Sequence, residues 1–121
     1  MKRTVDHELV QWKEGKKRKI LLIRGARQVG KTYSVRTLGK SFDSFLEVNF
    51  EEHSQIMPFF AGSLNPIEIC EKLSIYFGID IVPGETLLFF DEIQACPNAL
   101  RSLRFFYEKM QDLHVIAAGS L

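Results

Sequence analysis

Residues Leu21 to Ser34 read LLIRGARQVGKTYS, and the fold turns on what this stretch can build. Ile20 to Ile23 is a continuous aliphatic run with no polar alternation. That is the pattern of a strand buried on both faces, as in parallel sheets. It runs into Gly25-Ala26-Arg27-Gln28-Val29-Gly30-Lys31-Thr32, which fits a glycine, four residues, then Gly-Lys-Thr. The glycines let the backbone curl so that successive N–H groups point inward as an anion nest. A helix is predicted over Lys31 to Lys40, with Val35, Leu38 and then Phe42 toward the core. Such a helix aims its positive N-terminal end at the same anion. In this arrangement Lys31 reaches the β- and γ-phosphates of a nucleotide, and the Thr32 hydroxyl ligates Mg²⁺. A short pattern has chance matches; the strand before it and the helix after it supply the confirming context.

Outward from this stretch, strands and helices alternate. Val5, Leu9 and Trp12 fall at helical spacing within Thr4 to Glu14, and Gly15 is a plausible stop. The basic run Lys16-Lys17-Arg18-Lys19 reads as a solvated turn, with a nucleic-acid contact as its alternative. Phe45 to Phe50 is a second strand. Glu51 to Ser63, polar and holding Pro58 and Gly62, reads as a long loop or small insert. Asn65-Pro66 opens a helix as cap and first-turn proline, Ile69, Cys70, Leu73, Tyr76 and Phe77 form its stripe, and Gly78 ends it. The turn Pro83-Gly84 introduces a third strand, Thr86 to Phe90. Pro97-Asn98 opens a helix with Leu100, Leu103, Phe106, Tyr107 and Met110 on one side, and His114 to Ala118 is a fourth strand. The order α-β-α-β-α-β-α-β implies an α/β fold: a parallel sheet, helices on both faces, right-handed crossovers.

The second chemical signal is LLFFDEIQ, Leu87 to Gln94. Four apolar residues carry the chain to the C-terminal end of a strand, where ligands bind in open α/β sheets. Two adjacent carboxylates stand there. Asp91 is placed to hold Mg²⁺ through a water alongside Thr32, and Glu92 to orient and polarise an attacking water. The third is HVIAAGS, His114 to Ser120, a buried strand ending in Gly119-Ser120.

The bulk properties narrow the classes. A chain of 121 residues is one domain, large enough for a core and small for an enzyme. Hydrophobic residues make up 45% and charged residues 26%, as in ordinary globular proteins. The net charge of +1 gives no global field for nucleic acid or acidic lipid. No apolar run approaches the roughly 20 residues that cross a bilayer, and the charged N-terminus has no signal-peptide core, so a cytoplasmic protein without a membrane partner is expected. Cys70 and Cys96 are separated and read as free thiols, Cys96 as a small buried filler. His7, His53 and His114 give no metal-ligand spacing.

With RGARQVGKT at Arg24 to Thr32, DEIQ at Asp91 to Gln94 and GS at Gly119-Ser120, the chain resembles prokaryotic AAA+-type ATPases of the additional-strand, catalytic-glutamate branch. The resemblance covers essentially the whole chain. The loop match is highly specific, DEIQ moderately so, and GS weakly. It implies a P-loop NTPase three-layer sandwich with four strands in the order 1-4-3-2. A fifth strand, a lid, an arginine finger and a second domain would lie beyond Leu121, so the chain is expected to be the N-terminal part of such a protein and its domain, residues 1–121, to be incomplete. The Ile20–Ile23 strand would then be an open edge. The resemblance also implies that the loop residues Gly25 to Thr32 bind ATP, that Glu92 and Lys31 serve catalysis, and that Ser120 senses the γ-phosphate or the attacking water. An arginine finger would come from a protein partner or another copy of the chain.

The reading that follows is Mg²⁺-dependent ATP binding and hydrolysis coupled to conformational change. Two alternatives stay open: a nucleotide-binding regulatory module with little turnover, and a small-molecule kinase with Glu47, Asn49, Glu51 and Glu52 as a vague acceptor cluster. No N-K-x-D motif for guanine occurs, which favours ATP over GTP. Arg27 is a candidate contact to phosphate or to a neighbouring strand, and Arg101 and Arg104 read as a solvated helix face.

Overall fold

The computed structural model describes residues 4–15, 20–24 and 29–120. The basic run Lys16 to Lys19, the loop residues Gly25, Ala26, Arg27 and Gln28, and Leu121 lie outside the described residues. The elements follow in the order α1 (Thr4–Glu14), β1 (Ile20–Arg24), α2 (Val29–Gly39), β2 (Ser44–Asn49), α3 (Pro66–Phe77), β3 (Thr86–Asp91), α4 (Pro97–Lys109) and β4 (His114–Gly119). Two 3-10 helices, Ser54–Phe60 and Ile93–Ala95, complete the order. The four strands form one sheet in the order β1-β4-β3-β2, and every pairing is parallel. This is the P-loop NTPase α/β arrangement that the alternation of elements and the resemblance implied.

Strand alternation divides the sheet into two apolar faces. On one face Leu87, Phe89, Ile116 and Ala118 pack with Leu9 of α1 and with Val35 and Leu38 of α2. On the other, Leu46, Val48, Phe50, Leu88, Phe90, Val115 and Ala117 pack with α3, α4 and the segment between β2 and α3. β3 and β4 are buried along nearly their whole length, which is why they read as unbroken apolar runs. β1 departs from the burial on both faces expected of Ile20 to Ile23: it is only partly covered, and among the described residues it pairs on one side alone.

Local chemistry explains the boundaries. The Asn65 side chain accepts from the Ile67 N–H at 3.0 Å, and Pro66 occupies the first helical position. Gly78 ends α3 in the left-handed region at φ 69°, and its N–H donates to the Ser74 carbonyl at 2.8 Å. α1 is moored by contacts distant in sequence. Its Lys13 Nζ donates to the Ser41 carbonyl at 2.8 Å and sits 4.6 Å from the centre of the Phe42 ring. Trp12 and Phe42 each meet His114 edge-on with ring centres 5.1 Å apart.

Glu51 to Ser63, expected as a long loop or small insert, is more ordered than a polar loop: Ser54–Phe60 is a 3-10 helix whose Ile56 and Phe60 are fully buried. Phe60 meets Phe50 and Phe90 at 5.4 and 5.9 Å between ring centres, and Phe106 joins Phe90 at 5.8 Å. The two buried positions are four apart, but Met57 and Phe59 beside them blur the period and Pro58 interrupts it. Smaller shifts are that α2 begins two residues earlier than expected, and that Tyr76 and Tyr107 stand partly exposed rather than completing their stripes.

Candidate functional site

The strands are parallel and β1, β4, β3 and β2 end close together in register. Arg24 pairs with Gly119, Phe90 with Ala117 and Asn49 with Asp91. The C-terminal ends of the sheet therefore gather the glycine-rich connection after β1, the Asp91-Glu92 pair after β3 and the Gly119-Ser120 end of β4. Three stretches separated by tens of residues in sequence become neighbours because each follows a strand of one parallel sheet.

The connection joins the end of β1 to the start of α2. Of its residues, Gly25, Ala26, Arg27 and Gln28 lie outside the described residues. Val29, Gly30, Lys31 and Thr32 form the first turn of α2, which carries no acidic residue. A first turn has N–H groups with no partner inside the helix, and they carry the positive end of the helix dipole. The Lys31 ammonium folds back and donates to the Arg24 carbonyl at 2.7 Å. A neutral carbonyl does not cancel its charge. The two together favour an anion.

Asp91 ends β3 on the face that carries α2, as does Glu47 two residues along from Phe45 on β2. Arg36, one turn after Thr32 on α2, grips Glu47 with two bonds of 2.7 and 2.8 Å. This bidentate bond raises the Arg36 pKa above its ordinary value, and the charges of Glu47, Asp91 and Glu52 add to the effect. The Asp91 carboxyl is pushed above the usual carboxylate range, first by burial and then by the negative charges of Glu92 and Glu47. The Glu92 N–H, which donates to Asp91 Oδ1 at 2.9 Å, and the Arg36 charge pull it back without cancelling the shift. A half-buried carboxylate raised by neighbouring acids attracts a cation, and carboxylate and hydroxyl oxygens suit a hard cation such as Mg²⁺. The donor set of Thr32 and Asp91 fits the metal.

Glu92 is held in an uncommon way. Its backbone is left-handed, φ 53° and ψ 46°, the one non-glycine residue with positive φ among the described residues. Its side chain is buried, with the residue 8% exposed, although it carries a carboxylate at the rim of the sheet. The Gln94 amide donates to Glu92 Oε1 at 3.0 Å. Ser120 follows β4 and is exposed.

The remaining candidates separate clearly. Asn49 Oδ1 accepts from the Glu51 and Glu52 N–H groups at 2.9 and 3.2 Å, so it closes a turn. With Glu47 engaged by Arg36, the cluster at the end of β2 is internally bonded rather than an open acceptor pocket. Arg101 and Arg104 are exposed on α4, and Arg104 faces Glu108 at 3.4 Å, as a solvated helix face does. Cys96 is buried before α4, and Cys70 and Cys96 are both free. Burial pushes the Cys70 thiol up to about 12, so it stays protonated. No helix among the described residues is long and apolar enough to cross a membrane.

Two residues gained importance only in the structure. Arg36 lies one helical turn from Thr32, a spacing visible in the sequence, but its partner Glu47 is supplied by the sheet order. Gln94 was part of the acidic motif without a role of its own.

A family model described as an AAA domain matches residues 17–121 and so takes in the glycine-rich connection, the acidic pair and the end of β4. No curated protein matches the chain. With that match across most of its length and the parallel sheet that carries these three stretches, the chain belongs to the AAA domain family.

Proposed function

We propose that the chain binds ATP with Mg²⁺ and hydrolyses it, and that the hydrolytic cycle changes its conformation. The observation that carries this reading is the juxtaposition at the C-terminal ends of the sheet. Lys31, its charge met by a backbone carbonyl, stands with the first turn of α2 across β4 from the Asp91-Glu92 pair. Gly25, Ala26, Arg27, Gln28, Val29 and Gly30 are the residues that would bind the phosphates. Lys31 exchanges the Arg24 carbonyl for the phosphate oxygens, a stronger, charge-assisted partner. Thr32 and Asp91 hold Mg²⁺, which when bound supplies charge neutralisation and orientation to the phosphates. Glu92 accepts the proton of the attacking water, and Ser120 stands where the β4 end reports on the γ-phosphate. An arginine from a protein partner or a second copy of the chain completes the charge stabilisation. The glutamate following Asp91 favours hydrolysis over transfer to another acceptor.

The test is calorimetric titration of ATP and Mg²⁺ into the chain, with phosphate release followed in parallel. Lys31→Ala is expected to weaken ATP affinity by at least about tenfold. Glu92→Gln is expected to keep affinity and lower turnover by about 10²–10⁴-fold. Binding with no turnover in the parent would leave a nucleotide-binding regulatory module. Absence of ATP binding would sink the reading.

A further inference from the structure

Gln94 has no part in the reaction as proposed, yet it is tied to the glutamate that does. It lies in the short 3-10 turn Ile93–Ala95, and its Nε2 donates to Glu92 Oε1 at 3.0 Å. That bond dictates the orientation of the amide, because only the NH₂ end can serve a carboxylate. The amide oxygen must then face the other way. It is shielded from solvent and meets no hydrogen-bond donor among the described residues. A buried acceptor without a donor is costly and calls for an explanation.

The oxygen is directed at Gly119, the last residue of β4. A Cβ added at Gly119 would collide with Gln94 Oε1 and come within 3.4 Å of the Ile93 N atom. Glycine at 119 is therefore what lets the amide sit where it reaches Glu92. Meanwhile the Glu92 backbone is pinned on both sides: its N–H donates to Asp91 Oδ1 at 2.9 Å, and its carbonyl accepts from the Ala95 N–H at 3.1 Å. Backbone and side chain are each fixed, by different groups, in a left-handed conformation that an L-residue seldom adopts. An apolar residue at 94 would avoid the orphaned oxygen but would remove the amide's bond to the carboxylate.

On the reading that this site hydrolyses ATP, we infer that Gln94 is the positioning residue for Glu92, packed on Gly119 so that the amide links the carboxylate to the Gly119-Ser120 end of β4. The amide bonds Glu92 Oε1 and so fixes how the carboxylate faces the attacking water. Gly119 adjoins Ser120, so displacement of the β4 end on nucleotide engagement moves the amide and, through it, the carboxylate. Gln94 itself touches neither water nor phosphate in this scheme.

The experiment compares the full chain with Gln94→Leu, Gln94→Ala, Gly119→Ala and the Gln94→Ala/Gly119→Ala pair. Steady-state phosphate release, ATP affinity by calorimetry and Tm are measured for each. Gln94→Leu is expected to lower kcat by about 10–100-fold, the range typical of lost outer-shell anchors, with ATP affinity unchanged and Tm not lowered. Gly119→Ala is expected to lower kcat similarly by displacing the amide, and to cost nothing further once residue 94 is alanine. A readout independent of turnover is the Gln94 side-chain amide in ¹⁵N-edited NMR. Its resonances should shift, and its protons exchange faster with water, in Glu92→Ala. Full kcat in Gln94→Leu, a loss shared equally by ATP affinity and Tm, additive effects in the pair, or an unmoved amide would each overturn the inference while leaving ATP hydrolysis intact. A parent chain that binds ATP but releases no phosphate would overturn the hydrolytic reading itself.

Discussion

At Asp91 folding and ligand chemistry pull in opposite directions. Burial and the charges of Glu92 and Glu47 raise its carboxyl above the ordinary range, and Arg36 only partly compensates. A folded-state pKa above the unfolded one means that the folded chain binds the proton more tightly. The stability associated with this group is then fully present at pH below the ordinary carboxylate value of about 3.9 and is lost as pH rises through the raised folded value. At neutral pH the ionised carboxylate burdens the free protein. Asp91→Asn keeps an oxygen for the Glu92 N–H and removes the charge. It is expected to raise Tm modestly at pH 7, with the gain vanishing in acid, and to abolish the stabilisation by ATP with Mg²⁺. Thermal unfolding across pH, with and without the ligand, reads both effects. A Tm at pH 7 no higher than the parent's would contradict the electrostatic account. Arg36→Ala gives a smaller effect. The Arg36 and Glu47 side chains are 58% and 21% exposed, so despite good geometry the pair contributes no more than about 1 kcal/mol. Urea unfolding of Arg36→Ala should show a loss within that range, and a much larger one would mean that the arginine braces the β2 end as well.

At the scale of elements, the ends of α3 are where sequence chemistry acts most directly. Asn65→Ala removes the side-chain acceptor of the Ile67 N–H and is expected to cost about 1 kcal/mol. Gly78→Ala puts a Cβ on a left-handed residue in otherwise open space, so its cost is conformational, also about 1–2 kcal/mol. The two sites lie at opposite ends of one helix, and their effects should add in a double variant measured by denaturant titration. The segment between β2 and α3 obeys different physics. The N-cap residue His53 makes no side-chain capping bond to the 3-10 helix Ser54–Phe60, and Pro58 lies inside it. It is held by burial of Ile56 and Phe60 against Phe50 and Phe90 rather than by its own propensity.

For the molecule as a whole, the aromatic cluster on the α3–α4 side of the sheet is the point at which folding and site share a support. Phe90 precedes Asp91 and touches Phe50, Phe60 and Phe106. Phe90→Ala should cost about 3–5 kcal/mol through lost burial and a residual cavity. That is a large fraction of the roughly 5–15 kcal/mol that hold a typical domain together. The expected result is a chain that unfolds at much lower urea and loses ATP binding with its fold; near-parental urea resistance would mean that the cluster collapses around the gap. The reach of sequence reading differed across these scales. Unbroken apolar runs announced the strands, Asn65-Pro66 and Gly78 marked the ends of α3, and RGARQVGKT and DEIQ marked two sides of the candidate site, because each depends on contacts within a few residues. The 3-10 helix, the Arg36–Glu47 grip and the Gln94–Gly119 contact were not legible, because each partner lies on another element and only the sheet register brings it near. By itself, then, the sequence determined an alternating α/β chain with a glycine-rich connection after the first strand and an acidic strand end, since periodicity, capping and glycine content are local properties. The tertiary structure alone decided which side chains restrain Asp91 and Glu92 and which strand ends meet, since burial and electrostatic coupling depend on distances that the linear order does not contain.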